Sequence, residues 1–450
     1  MPYHGFTLAA LIVVLGAALY RTSPTAIHAN SGMRPSPVSA MTARSADSRS
    51  DLTGQGSRSL RSFGVSPAAS PAENKDSLQR AIDWAASCGG VIEVDASAEP
   101  YPVASGLILR RNASLVGVHG PVGRATRHPS RPQPIGSVFQ IQDALHPFIT
   151  VESGTQISGV QFWYSQQTLT DPAAVVAYPP TIQVSQSQPV WGVTLRDLTF
   201  YGEFVAMDFN ADPRHPCEQI LIEHCYGYPL SGEFVRIDRC YDVPRVLHCH
   251  VNPANRRAFA GDCSRAVVDS VVARRSFAFH VDRTDNAVLM DLFTFGIYGG
   301  ALLGASSYGQ LTNFNFDCVS IGIQKNGDSA FNRNWMVAQG SIIANIGSKI
   351  EDIHPIVVSG QGHLSLSNVE AFSGPNGAVT ALGRSWDFIT VQGEQRLTIS
   401  ISGSRMRNYE SATPVTLLNP NATVILTGCF DRSERLCDGV LGVGAHPEIK

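Results

Sequence analysis

The sequence predicts an all-β protein, a single-stranded right-handed parallel β-helix with an N-terminal capping α-helix, and three observations carry that expectation. A short segment, apolar at alternate positions and closing on Asp, Asn or His, recurs along the middle of the chain; its closing residues Asp197, His224, His248, Asp269, Asp291 and Asn315 are 27, 24, 21, 22 and 24 positions apart. Cysteines keep the same beat, with Cys217, Cys240 and Cys263 each 23 apart and Cys225 and Cys249 24 apart. Val, Ile, Thr and Phe alternate with polar residues inside these segments, the pattern of half-buried strands. A fixed period of this size means that each repeat is one coil of a solenoid that buries its apolar face only by stacking on its neighbours.

Taken in order, the chain opens with an apolar run from Phe6 to Tyr20, about five residues short of a bilayer span. Residues 1–29 therefore read as an export signal cleaved after Ala29, or as an uncleaved membrane anchor, since no Lys or Arg precedes the apolar run. Export places the protein outside the cell, in a periplasm or at the cell surface. Residues 30–62, rich in Ser, Arg, Pro and Gly without an apolar period, read as a flexible linker, and residues 63–450 as the β-helix domain. Asn74 to Ser87 has Leu78, Ile82 and Ala85 at helical spacing, with Asp76 as N-cap and Gly89-Gly90 as terminator. Val91 to Val94 follows as a strand. A helix laid over the open end covers the first coil's exposed edge.

Composition narrows the function. A formal charge of −3 and a pI near 6.5 lack the dense basic face that nucleic acid requires. Among nine cysteines, Cys225 and Cys249 read as inward-facing small apolar residues, and Cys429 with Cys437, seven apart across a polar turn, as the best disulfide candidate.

The run Asp76-Ser77-Leu78-Gln79-Arg80-Ala81-Ile82, then Cys88-Gly89-Gly90-Val91-Ile92-Glu93-Val94, Tyr101-Pro102-Val103, Leu107-Ile108-Leu109 and Leu115-Val116-Gly117 resembles the opening of the pectate lyase superfamily. Its usual Pro-x-Gly before the Tyr and its upstream Gly-Asp-Gly are absent. The resemblance implies an exported carbohydrate-active enzyme, a glycoside hydrolase or polysaccharide lyase, acting on an extended glycan bound along the solenoid face. Calcium is implied only if the reaction is lysis. A non-catalytic glycan-binding or structural surface protein is the rival from another class.

Stacking brings residues one period apart together, so carboxylates and arginines at equivalent positions are the catalytic candidates. Aligned on the cysteines, Asp242 and Arg265 fall in one file, Arg239, Asp262 and Arg283 in the next, and Asp238 and Asp282 beside those. Asp238, Asp242, Asp262, Arg265 and Asp282 form the proposed catalytic set. Hydrolysis needs one protonated and one ionised carboxyl; lysis needs a base and a cation to steady a uronate. The same files also fit a solvated ion-pair ladder, worth about 0–1 kcal/mol per exposed pair. Tyr164, Tyr201 and Tyr228 offer rings for sugars, with Arg245 and His250 as polar contacts. His215, His248 and His280 read as turn or ladder residues.

Overall fold

The computed structural model describes residues 56–118, 134–253, 263–327, 334–344, 353–371, 387–406, 414–431 and 433–442. The leader, residues 30–55 of the linker and Asp262 lie outside the described residues. Pairing begins at Ser57–Ser59, six positions before Phe63, against Val91–Val94.

Each coil visits three sheets in turn. Sheet 1 contains Ile182–Val184, Met207–Asn210, Val235–Asp238 and Phe277–Val281; sheet 2 contains Val190–Arg196, Cys217–Glu223, Arg245–Leu247 and Ala287–Met290; sheet 3 contains Thr199–Tyr201, Tyr226–Gly227 and His250–Val251. Every strand of these sheets pairs in parallel with its counterpart one coil away. Further up, one strand, Gly309–Lys325, runs through all three sheets in succession. Among the described strands only the last, Leu436–Gly442, turns back, pairing antiparallel with Ala422–Asp431.

The corner between sheets 2 and 3 is a single residue in the left-handed region. Successive coils place Gly159, Asp197, His224, His248, Asp291, Asn313, Gln339, Asn368, Gly403 and Gly428 there, with φ between 52° and 65° in every case. The conformation costs most residues about 1–2 kcal/mol, less for Asn and Asp and nothing for Gly. Short polar residues and glycine therefore recur at this corner. Neighbouring coils also bond side chain to side chain here: His224 Nδ1 meets Asp197 Oδ1 at 2.5 Å, and His248 Nδ1 meets Asp291 Oδ2 at 2.7 Å.

Two expected members of the repeat are elsewhere. Between Val251 and Phe277 the chain leaves the coil for an excursion containing helix α2, Arg265–Ala273. Asp269 lies on that helix, so His248 is followed in the corner by Asp291; Asn313, two residues before Asn315, takes the next place. Cys217 and Cys240 do stack, but the residue over Cys240 is Thr284 and not Cys263. The detour is about as long as an ordinary coil. A count along the sequence therefore runs through it without a break in rhythm, and one 44-residue coil reads as two.

Helix α1, Pro71–Cys88, starts earlier than its apolar spacing suggests. Ser70 is the N-cap, in a reciprocal capping box with Glu73, and Pro71 opens the first turn, while Asp76 sits inside the helix. Gly89, with φ 67°, closes it. Leu78, Ala81, Ile82 and Ala85 are buried over the first coils.

Inside the solenoid a phenylalanine column climbs from coil to coil. Phe139 and Phe162 are 6.3 Å apart between centroids, Phe162 and Phe200 5.2 Å, Phe200 and Phe234 5.8 Å, and Phe234 and Phe279 6.3 Å. Each buried ring contributes roughly 1.5–3 kcal/mol of transfer free energy, so this column pins the coil register. Cys225 and Cys249 face the same interior one coil apart. Cys429 and Cys437 lie directly opposite in the closing antiparallel pair, both as free thiols rather than as the expected disulfide.

Candidate functional site

Three successive sheet 1 strands share one pattern, Met207-Asp208-Phe209-Asn210, Val235-Arg236-Ile237-Asp238 and Phe279-His280-Val281-Asp282. The apolar residues point in; the polar ones form two outward files. Register places Asp208, Arg236 and His280 in the first file, and Asn210 beside Asp238 in the second. Asp282 continues that second file, its N–H donating to Ile237 O at 2.8 Å. Parallel strands sit about 4.8 Å apart. Residues up to 74 positions apart in sequence thus form one compact strip.

His280 lies at the centre. Its Nδ1 is 3.0 Å from Glu233 Oε1 and its Nε2 2.8 Å from Asp282 Oδ2, so both ring nitrogens face carboxylates and both donate. Burial opposes the charge, but the bonds from Asp282 and Glu233 outweigh it and raise the pKa to about 9. The ring is an imidazolium at neutral pH, a fixed cation with no lone pair to accept a proton.

The carboxyls around it are driven in different directions. Burial pushes Asp208 above the usual carboxylate range, partly offset by Asn210 N–H, which donates at 2.9 Å, and by the Arg236 charge. Asp282 goes the other way: burial would raise it, yet the His280 hydrogen bond and charge, together with Arg236 and the Ala305 N–H, hold it below that range. Asp238 is raised chiefly by burial and in part by Asp282. Both of its oxygens are already engaged, Oδ2 by Arg239 Nη1 at 2.7 Å and Oδ1 by Arg283 N–H at 3.2 Å.

The seat of Asp282 depends on a glycine. A Cβ built on Gly304 would stand 2.1 Å from Asp282 Oδ1, so only a residue without a side chain lets the carboxylate lie there. Beside the strip, Arg283 packs over the Tyr241 ring at 4.7 Å and bonds Asp285 Oδ1 at 2.5 Å.

Of the five catalytic residues expected from sequence, this strip unites Asp238 and Asp282. Asp242 sits past the turn into sheet 2, where it accepts Gln219 Nε2 at 2.7 Å. Arg265 begins helix α2 and is paired with Asp269 at 2.8 Å, displaced by the same excursion that displaces Cys263. The tyrosine expectation fails because the rings are covered: Tyr164 bonds Thr181 Oγ1 at 2.8 Å, Tyr201 bonds Gln161 Oε1 at 3.1 Å, and Tyr228 bonds Gly296 O at 2.6 Å. All three are at most 2% exposed and present no face to a ligand. Arg245 is exposed on sheet 2, and His250 lies on sheet 3, stacked on Phe293 at 4.3 Å. Asp208, Glu233, Arg236 and His280 lie outside the set expected from sequence; the triple apolar-polar-apolar-Asx pattern is the signal that points to this strip.

No family model matches the chain, and no curated protein matches it in sequence. Solved structures do. The DFA-IIIase of Arthrobacter chlorophenolicus A6 superposes with a TM-score of 0.54 at 12% identity, covering 88% of this chain and 100% of that one. Its complex with DFA-III gives 0.51 at 12% identity, with 88% and 99% covered. The pre-mature bacteriophage phi29 gene product 12 gives 0.50 at 12% identity over 83% of this chain, which spans about half, 51%, of that protein. At these identities the likeness is one of fold.

Proposed function

We propose that this protein is an exported right-handed parallel β-helix enzyme that hydrolyses glycosidic bonds in an extended carbohydrate laid along the outer strip of sheet 1. The observation that carries the reading is the divergence of two carboxyls in that strip: Asp208 is pushed toward its protonated form and Asp282 toward its anion. Paired carboxyls whose surroundings separate their proton affinities are what acid and base roles require. The fold shared with DFA-IIIase, a structure solved with DFA-III bound, supports a carbohydrate ligand. Right-handedness accords with the strong preference of parallel crossovers.

In this reading Asp208 donates its proton to the glycosidic oxygen as the bond to the anomeric carbon breaks. Asp282 takes a proton from the water that attacks that carbon from the opposite side. Arg236 lies between them and steadies the anionic form of each. Asp208 and Asp282 stand two coils apart and in different outward files, ~10 Å or more, far wider than the ~5 Å of a retaining pair and slightly wider than the ~6.5–9.5 Å of an inverting one. Lysis is disfavoured because His280, held by two carboxylates, is no base, and calcium has no role in the hydrolytic route.

A panel of neutral and acidic polysaccharides, followed both for new reducing ends and for absorbance of unsaturated uronates, tests the proposal. Reducing ends alone support hydrolysis. Unsaturated products would replace it with a lyase, and retained glycan binding without turnover would replace it with a binding protein.

A further inference from the structure

Higher on the stack, the turn that leads from sheet 1 into sheet 2 opens a recess of about 490 Å³ lined by Gln361, Gly362, His363, Arg396 and Thr398. Its place follows from register. His280 pairs upward through Leu302 and Gln324 to Val357, so the coil carrying His363 lies three above it, ~14 Å along the stack. Strands Gly362–Ala371 and Leu397–Ser402 run in parallel on successive coils, with His363 beside Thr398 on the outer face. Arg396 immediately precedes the upper strand, and its carbonyl accepts from Gly362 N–H at 3.2 Å.

The walls are held in place by the coils themselves. Gly360 turns the lower coil toward the recess at φ 83°, where a Cβ would stand 2.0 Å from Gly327 O. The adjoining Gln361 carbonyl accepts from the ammonium of buried Lys325 at 3.2 Å. His363 is half-buried, with Nε2 3.2 Å from Ser400 Oγ, and burial holds its pKa below the ordinary value, so the ring is neutral at neutral pH. With Ser400 donating to Nε2, the ring proton sits on Nδ1 and can donate to a ligand. Arg396 is exposed, and among the described residues its guanidinium has neither an ion-pair nor a hydrogen-bond partner. No described Asp or Glu lines the recess; Glu394, on the same turn as Arg396, is exposed and stands outside the lining.

We infer that this recess binds a tetrahedral oxyanion, a sulfate or phosphate group, either free or as an ester on a glycan. Its donors come from two neighbouring coils: Arg396 offers a fork of parallel N–H groups, Thr398 a hydroxyl, and His363 an imidazole N–H. A planar carboxylate places both its oxygens on the fork alone, whereas a tetrahedral anion has further oxygens for the hydroxyl and the imidazole. A guanidinium with unengaged N–H groups meets such an anion without first breaking an internal ion pair. The site uses no residue of the sheet 1 strip, so it goes beyond the hydrolytic reading and does not depend on it.

Titration calorimetry on the full chain, with inorganic phosphate, sulfate and acetate as probes, tests the inference. Phosphate or sulfate should bind with a dissociation constant of about a millimolar, and acetate at least about tenfold more weakly. Arg396→Gln should weaken phosphate or sulfate about tenfold and Thr398→Val about threefold, while Arg396→Glu should abolish binding. Arg396 is exposed, so its variants should keep the fold, and circular dichroism melts verify this. Absence of phosphate and sulfate binding in the parent, equal affinity for acetate, or unchanged binding in folded Arg396→Glu protein would each overturn the site. Affinity electrophoresis then separates the two sources of the anion. Dextran sulfate retained by the parent and not by Arg396→Glu, with dextran running free, assigns the group to a glycan ester; calorimetric binding without that retention assigns it to the free ion. Asp208→Asn and Asp282→Asn should bind the anion as the parent does, and a parent inactive on every polysaccharide would sink the hydrolytic reading while leaving this result in place.

Discussion

Asp238 and Asp282 are 44 positions apart in the chain and one coil apart in space, close enough that the N–H following Asp282, that of Arg283, donates to Asp238 Oδ1 at 3.2 Å. The separation is almost twice the usual coil because the excursion carrying α2 lies between them. Both carboxyls are thereby placed in a strip with Asp208, and each meets a different environment.

The first prediction concerns turnover. Asp208→Asn and Asp282→Asn are each expected to lower kcat by about 10²–10⁴-fold, the scale of a lost general acid or base; Asp208→Asn should melt close to the parent, whereas Asp282→Asn also loses the His280 hydrogen bond and should melt lower. Asp238→Asn should instead lower stability, because it removes a carboxylate bonded to Arg239 and to backbone. Steady-state kinetics and thermal melts on the three variants separate these roles. Full activity in Asp208→Asn would contradict the assignment of the proton donor.

The second concerns stability against pH. His280 has a folded pKa of about 9, above its unfolded value of about 6.5, so its contribution is fully present below 6.5 and is lost as pH rises through 9. The difference corresponds to about 3 kcal/mol. Denaturant melts should show stability falling between pH 6.5 and 9 in the parent and a flatter profile in His280→Gln. A parent profile without that decline would refute the doubly bonded imidazolium.

Gly304 gives the third. Its φ is ordinary, so Ala costs nothing in backbone conformation, but its Cβ meets Asp282 Oδ1. Gly304→Ala should lower kcat at least tenfold and, by pushing Asp282 away from His280, move the acidic limb of the activity profile to higher pH, with KM for substrate nearly constant. Unaltered kinetics would show that Asp282 is not held where the reaction needs it.

The fourth tests the excursion. Arg275, exposed and at φ 56°, follows the C-cap of α2 in the conformation that favours glycine there. Arg275→Gly should stabilise the protein by about 0.5–1 kcal/mol, read as a shift of the denaturation midpoint with unchanged activity.

The solenoid was legible because its strongest signals, alternation and a period near two dozen residues, are local and repeated. Corner residues were visible too, since Asp197, His224, His248 and Asp291 owe their identities to one backbone conformation. What sequence could not supply was the register across an irregular coil. Counting by cysteines carried Arg265 into the site and placed Cys263 in a column that Thr284 occupies. His280 looked like a ladder residue because the partners that charge it, Glu233 and Asp282, lie on opposite sides of it in the fold and 47 and two residues away in sequence. The tyrosines misled for a plainer reason: an aromatic ring near a polar turn serves a crowded interior as readily as a surface.

The detour between Val251 and Phe277 leaves and rejoins the coil without disturbing the strands on either side: Val235 still pairs with Phe279, and Tyr226 with His250. A turn that absorbs some twenty-five residues in this way is a natural grafting point. Loops of other length or composition can be exchanged there while the scaffold beneath, and the spacing of Asp208 and Asp282 it sets, stay as they are.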